Sequence, residues 1–259
     1  DASLCCREII MTYSIVAKDK KTGAVGIAVA SRFFACGAMV PFVGRDVAIA
    51  SQAFCNPQWG LEGRERLTLG QSSKEILNDF ISRDKGQSIR QAHMIDKNGE
   101  IHSHTGADCV DWAGHCSSNL VSVAGNMLTG ESVIKDTLTA YQDCINEDFL
   151  ERLIISMEAG ERAGGDKRGR QAAGIIIHMG QDYPWIDLRV DDHSDPLSEL
   201  RRLIDVSKEK FAHFSKGMAT KENFSGTSDR RPIDIAIKES LEKRVLSGKA
   251  SRSLAIPEE

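Results

Sequence analysis

Two apolar segments near the start of the chain, TYSIVA (residues 12–17) and AVGIAVAS (residues 24–31), flank the sequence Asp19-Lys20-Lys21-Thr22-Gly23, which has the residue types of a hairpin loop. The second segment is apolar or small at successive positions, not at alternate ones. Side chains of a strand alternate between faces, so such a run suits a strand covered on both sides. The pair therefore points to a layered fold with a sheet inside it.

The pattern continues in the same sense. A strand is expected over 46–54, followed by helices over about 60–69 and 73–83. Strands over 90–95 and 100–105 are joined by Asp96-Lys97-Asn98-Gly99, whose Asn-Gly pair is a strong hairpin signal. A strand at 120–124, a helical pair at 131–144 and 147–161, the apolar run AAGIIIHM, a strand at 185–190 and a helix at 196–215 complete the order. Strands first, two helices in the middle, then strands and a helix imply an α+β fold of antiparallel sheets with segregated helices. After about residue 216 the chain becomes polar and turn-rich. Residues 216–259 read as a C-terminal tail with one possible amphipathic helix in IDIAIKESLEKRVL.

Composition narrows the function. The formal net charge of −4 comes from interspersed acids and bases, which gives no electrostatic case for nucleic acid or an anionic membrane surface. No apolar run approaches the roughly 18 residues of a membrane-spanning helix. The opening DASLCCREII lacks the basic start and apolar stretch of a signal peptide. Seven cysteines, odd in number and without a C-x-x-C pair, argue for reduced thiols and a cytoplasmic location. Cys36, Cys55 and Cys144 read as small buried hydrophobes.

The chemistry centres on Met11-Thr12. If the residues before Thr12 are absent or removed, Thr12 carries a hydroxyl and a free α-amine on adjacent carbons. The amine has an ordinary pKa of about 7.7–8.0 and can accept the hydroxyl proton near neutral pH. This is the N-terminal-threonine form of an activated nucleophile, set against an ordinary first residue of a strand. Ser14, two residues along, shares its face and either borders the site or is a buried strand serine. Gln52 and Asn56, in SQAFCNP, either orient a substrate carbonyl or cap the turn before Pro57. Gly125-Asn126, in VAGNML, suits an oxyanion hole, with helix capping by Asn126 as the alternative. His102, His104 and the run Asp191-Asp192-His193 allow a metal site to be drawn, but strand-face histidines are more commonly surface or core residues. No metal and no cofactor are expected.

Seven segments together carry a resemblance: MTYSIVAKD (11–19), GAVGIAVASRFFACGAMVP (23–41), SQAFCNPQWGLEGRERL (51–67), TGADCVDWAGH (105–115), VAGNML (123–128), AGGDKRGRQAAG (163–174) and DLRVDDHSDPLSELRRL (187–203). In order and spacing they resemble the bacterial family known as domain of unknown function 1028. The resemblance implies an N-terminal-nucleophile (Ntn) hydrolase-like fold, a four-layer αββα sandwich of antiparallel sheets. It also implies that Arg32 sets a cation near the nucleophile and that Asp166 contacts the amine or nucleophile, supported by Arg168 or Gln171. Read on residues alone, Arg32 is equally a surface ion-pair residue, and the Gly164–Gln171 stretch equally a helix C-cap with a solvated loop.

Residues 1–11 are thus expected as a leader absent or removed in the active form, and 12–215 as the Ntn-like domain. The expected activity is hydrolysis of a small amide, lactam or peptide-like substrate. Thr12 is the nucleophile; Asp166 and Asn126 assist. Ser14, Arg32, Gln52, Asn56, Gly125, Arg168 and Gln171 contact substrate. The alternative is a non-catalytic metabolite-binding protein on the same fold. A homodimer or higher homo-oligomer is plausible from apolar positions on the 196–215 helix.

Overall fold

The structure, a computed structural model, describes residues 12–255; the expected leader 1–11, with Met11, lies outside the described residues. Strands β1 (Thr12–Lys18) and β2 (Val25–Ser31) form the anticipated hairpin, with Tyr13 opposite Ala30 and Lys18 opposite Val25. Every residue of β2 is buried, as its unbroken apolar pattern requires. A short helix α1 (Cys36–Met39) leads to β3 (Pro41–Val43) and β4 (Ala48–Ala53). Helices α2 (Pro57–Thr68) and α3 (Ser73–Arg83) both begin at side-chain caps, Asn56 accepting from Gln58 N and Ser72 from Glu75 N. The chain then runs through β5 (Arg90–Ile95), β6 (Ile101–Thr105), β7 (Trp112–Ser118) and β8 (Val121–Leu128). Helices α4 (Ser132–Asp143) and α5 (Phe149–Arg162) precede β9 (Ala172–His178) and β10 (Ile186–Val190).

These strands build two antiparallel sheets, of order β10-β9-β2-β1-β8-β7 and β3-β4-β5-β6. The sheets face each other, with α2 and α3 against the outside of the four-stranded sheet and α4 and α5 against the outside of the six-stranded one. The fold is an αββα sandwich. Between the sheets Val16, Val25, Ile27 and Val29 meet Val43, Ala48, Ala50 and Ile95. On the other side of the smaller sheet, Ile49 and Met94 pack with Trp59, Leu67, Ile76 and Phe80. Burial of each such large side chain contributes about 1.5–3 kcal/mol.

Four elements depart from expectation. Strand β7 reads poorly from sequence because it is only partly buried and contains Gly114. Helix α1 and β3 are too short for a period to show. The expected 196–215 helix is two helices, α6 (Pro196–Ser207) and α7 (Phe211–Phe214). Ser207 Oγ donates back to Ile204 O at 2.7 Å, a local bond that competes with helix continuation.

The chain divides into two compact units after Leu197. The second contains α8 (Arg231–Leu246), none of whose residues is buried. In that unit buried Glu209 accepts from Ser251 Oγ (2.8 Å) and Arg252 N (3.0 Å). Among the described residues no helix is long and apolar enough to cross a membrane.

Candidate active site at the head of the first strand

Strand alternation sets the site. Tyr13 points to the helices, donating its hydroxyl to Met157 O of α5 at 2.9 Å. Thr12, Ser14 and Val16 therefore face the second sheet, where Val16 joins the inter-sheet core. Thr12 is fully buried and cross-strand from Asn126 of β8. On its other side Thr12 Oγ1 donates to Ser31 Oγ at 3.3 Å.

Behind Thr12 lies a buried chain of amides whose orientations are fixed by their acceptors. Gln91 Nε2 donates to the carbonyls of Gly125 (2.8 Å) and Gly114 (3.1 Å), so Gln91 Oε1 is the inward acceptor. That oxygen receives Gln52 Nε2 at 2.8 Å and Asn126 Nδ2 at 3.0 Å. Gln52 Nε2 also reaches Ala124 O at 3.2 Å, which leaves Gln52 Oε1 to accept Ser14 Oγ at 2.6 Å. With its proton so placed, Ser14 Oγ accepts from His93 Nε2 at 2.8 Å, and His93 Nδ1 accepts from Ser122 Oγ at 2.9 Å. His93 is thereby a neutral Nε2–H tautomer. Burial, with a smaller push from His115, lowers its pKa to about 3. At the Thr12 end, Asn126 Nδ2 makes a long 3.4 Å contact with Thr12 O, while buried Asn126 Oδ1 has no hydrogen-bond partner.

A small pocket opens beside Thr12, bordered by Phe33, Cys36, Met39, Gln52, Ala53 and Cys55. Its volume of about 10 Å³ is room for roughly one water. The α1 wall sits directly on β9: a Cβ at Gly174 would stand 2.9 Å from Gly37 Cα, so this approach requires glycine. Burial pushes both the Cys36 and Cys55 thiols up, so they line the wall as protonated groups. Backbone strain gathers around this centre. Ala35 (φ 56°) precedes α1, Ala53 (φ 64°) follows Gln52, and Met127 (φ 51°) follows Asn126. Each such conformation costs of order 1–3 kcal/mol, and such residues cluster where geometry serves a site.

The loop after α5 closes the neighbourhood. A bridge between Leu128 and Asp166 lays it along the end of β8. Asp166 is buried; its Oδ2 accepts from Arg32 N at 2.7 Å and Arg168 Nη2 at 3.3 Å, and its Oδ1 from Arg168 N at 2.9 Å. Arg32 directly follows Ser31, the residue that meets the Thr12 hydroxyl. Arg32 Nη1 in turn donates to Arg168 O at 2.5 Å.

The model of a family of unknown function, DUF1028, matches residues 12–200. The chain belongs to the DUF1028 family. A crystal structure of protein SPO2555 from Silicibacter pomeroyi, itself matched to the DUF1028 model, is similar at 27% identity and a TM-score of 0.77. The match covers 85% of this chain and 100% of that one. No curated protein matches the chain.

Within this DUF1028 fold the residues singled out from sequence divide into groups. Thr12, Ser14, Gln52, Gly125 and Asn126 meet in one network, while Arg32, Asp166 and Arg168 form the adjoining loop cluster. Gly125 sits within the sheet, cross-strand from both Tyr13 and Gly114, and its carbonyl serves Gln91. Gln171 N donates to Ser31 O at 3.2 Å, but its side chain turns to Asp192 Oδ1 at 3.0 Å. Asn56 stands apart as the α2 cap, with Nδ2 on Asp84 Oδ2 at 3.0 Å. His102 and His104 bond Ser73 Oγ and Gln87 O, each at its own place along β6.

Sequence reasoning missed Ser31, Gln91, His93 and Ser122. The available signal was the spacing of Gln91 and His93, two residues apart on β5 and so on one face. A polar pair at that spacing conventionally faces water; here it faces the other sheet.

Proposed function

We propose that this DUF1028 protein is an N-terminal-nucleophile amide hydrolase acting on small amides, lactams or short peptide-like molecules. The observation that carries the reading is the placement of buried Thr12, its hydroxyl on Ser31 and Asn126 across from it on β8, beside a pocket at the head of a central strand. The family match also begins at residue 12.

With a free α-amine, the Thr12 hydroxyl proton passes to that amine as Oγ1 bonds to the substrate carbonyl carbon. Collapse of the tetrahedral intermediate breaks the C–N bond, and the ammonium proton leaves with the amine product. Water then cleaves the threonyl ester, releasing the acid and regenerating the hydroxyl. Unpartnered Asn126 Oδ1 is the acceptor suited to holding the α-amine. Asp166, with three of about four acceptor positions filled, anchors the loop that presents Arg32 and Arg168 to a substrate carboxylate.

The test is to determine the N-terminus of the protein from its native host by intact mass, then assay the chain beginning at Thr12 on N-acyl amino acids and lactams. Turnover is expected and should fall at least about 10²-fold in Thr12→Ala. Turnover undiminished by that substitution would reject the mechanism. Ligand binding without turnover in the chain starting at Thr12 would identify a metabolite-binding protein instead.

A further inference from the structure

The pocket beside Thr12 is bordered, apart from Thr12 itself and Gln52, by Phe33, Cys36, Met39, Val40, Ala53 and Cys55. None of these described residues carries a charge, and burial keeps both thiols protonated. The Gln52 amide is already committed. Its Nε2 protons go to Gln91 Oε1 (2.8 Å) and Ala124 O (3.2 Å), and its Oε1 accepts from Ser14 Oγ at 2.6 Å. A charged group entering this pocket would therefore give up its water without gaining a partner, whereas a small apolar group loses nothing.

The backbone on both sides of the pocket is pinned. Ala35 N donates to Asp191 O at 3.2 Å and Val40 O accepts from Ser51 N at 3.0 Å, so both ends of α1 are tied down. Behind α1, a Cβ at Gly37 would stand 3.1 Å from Arg189 Cγ and 3.2 Å from Gly174 Cα, which leaves the helix no room to move back. On the opposite side the Ser51 hydroxyl donates to Asn56 O (3.0 Å) and accepts from Asn56 N (3.3 Å), closing the turn that carries Ala53 and Cys55. Phe54, between those two, is held at its carbonyl by Arg90 Nη1 (2.6 Å) and at its N–H by Ile89 O (3.2 Å). Met39 is the yielding part of the border: it is 40% exposed, and its side chain is unbranched and adaptable.

We propose that this pocket holds the acyl part of the substrate and limits it to acetyl, with Met39 setting the limit, so that the substrates are N-acetyl amino acids. The inference rests on the hydrolase reading of Thr12 given above. A methyl group takes up roughly the space of the one water for which the pocket has room. The threonyl ester outlasts the amine product, so the part that stays attached belongs in the pinned pocket and the part that leaves belongs on the open side. There exposed Arg32, next to Ser31, and half-buried Arg168 meet the amino acid carboxylate. Thr12 Oγ1 bonds to the acetyl carbonyl carbon, the C–N bond breaks, the amino acid leaves with the proton first taken by the α-amine, and water releases acetate.

The test uses the chain shown by intact mass to begin at Thr12, assayed on the N-acetyl, N-butyryl and N-succinyl derivatives of glycine, alanine and leucine, with lactams alongside. For a given amino acid, kcat/KM is expected to be at least about tenfold higher for N-acetyl than for N-butyryl, and at least about a hundredfold higher than for N-succinyl. Met39→Ala, which truncates a partly exposed side chain, should raise the ratio of N-butyryl to N-acetyl kcat/KM at least about tenfold. N-butyryl or N-succinyl substrates turned over as fast as N-acetyl ones, an unchanged ratio in Met39→Ala, or turnover of lactams alone would each overturn the pocket assignment while leaving the hydrolase reading in place. No turnover of any of these compounds would reject the hydrolase reading itself, and the assignment would fall with it.

Discussion

Gln91 Oε1 stands 3.0 Å from Asn126 Nδ2, and this contact orients the amide that flanks Thr12. The same glutamine receives Gln52 of its own sheet and donates to two strand carbonyls, so one side chain from the four-stranded sheet fixes Asn126 and the Gly114 and Gly125 carbonyls of the other. Gln91→Leu preserves approximate volume but removes the 3.0 Å acceptor of Asn126 Nδ2, one of the two acceptors of Gln52 Nε2, which keeps Ala124 O, and the side-chain donor to Gly125 O. Buried groups left unpaired cost about 1–3 kcal/mol each and are partly relieved by relaxation. A loss of about 2–4 kcal/mol is expected in urea unfolding. A change under about 0.5 kcal/mol would mean that the network does not exist in solution.

His93 makes stability depend on acid. Its folded pKa of about 3 lies below the ordinary value of 6.5, so between these values only the unfolded chain takes up the proton. The stabilising contribution is complete above pH 6.5 and declines as pH falls towards 3. His115 and His178 are also lowered, chiefly by burial, and act with the same sign. From pH 7 to pH 5 the wild-type protein should lose about 2 kcal/mol more stability than His93→Gln. Parallel pH profiles for the two proteins would show that His93 is not buried as a neutral group.

The parts legible in the sequence are those decided within one segment. The all-apolar β2, the Asn98-Gly99 turn and the helix over 73–83 need no distant partner, and Thr12 was singled out from its chemistry and its strand position. Gln91 and His93 were not visible. Their polar alternation within RQAHMI is the pattern of a wetted face, and only the arrival of β1 and β8 turns it into an interior network. Asn56 shows the converse. The sequence allowed cap or site, and in the structure its Oδ1 accepts from Gln58 N, two residues on, as the α2 cap. Asp166 depends on Arg32, 134 residues away, a separation that no local pattern encodes.

Gly125 tests how closely β1 and β8 must approach. A Cβ there would lie 2.5 Å from Leu128 Cδ1 and 3.1 Å from Tyr13 Cβ. Leu128 is itself fully buried and Tyr13 Cβ is fixed to the strand, so neither yields cheaply. Gly125→Ala should lower stability by about 1–3 kcal/mol and displace neighbouring Asn126 from Thr12. The temperature of thermal unfolding should fall, and under the proposed hydrolase function kcat should fall with it. A normal Tm with normal kcat would show that the strands separate freely.

Asp166 anchors the loop by charge as well as shape. Both carboxylate oxygens face N–H donors, the backbone groups of Arg32 and Arg168, with the Arg168 guanidinium added at 3.3 Å. In Asp166→Asn one of those positions becomes an NH2 group opposed to an N–H, whichever way the amide turns. The contact is therefore lost and a buried donor is left facing another. A destabilisation of about 2–3 kcal/mol follows from replacing a charge-assisted acceptor in a buried place. The loop should also open locally before the sheets do, because Lys167, Gly169 and Arg170 are already exposed. Trypsin cleavage at Lys167, Arg168 or Arg170 under native conditions should then be faster in Asp166→Asn than in the wild-type protein. Cleavage at an unchanged rate would mean that the loop is held by its backbone bridge to Leu128, with the carboxylate left as a group for the Thr12 centre alone.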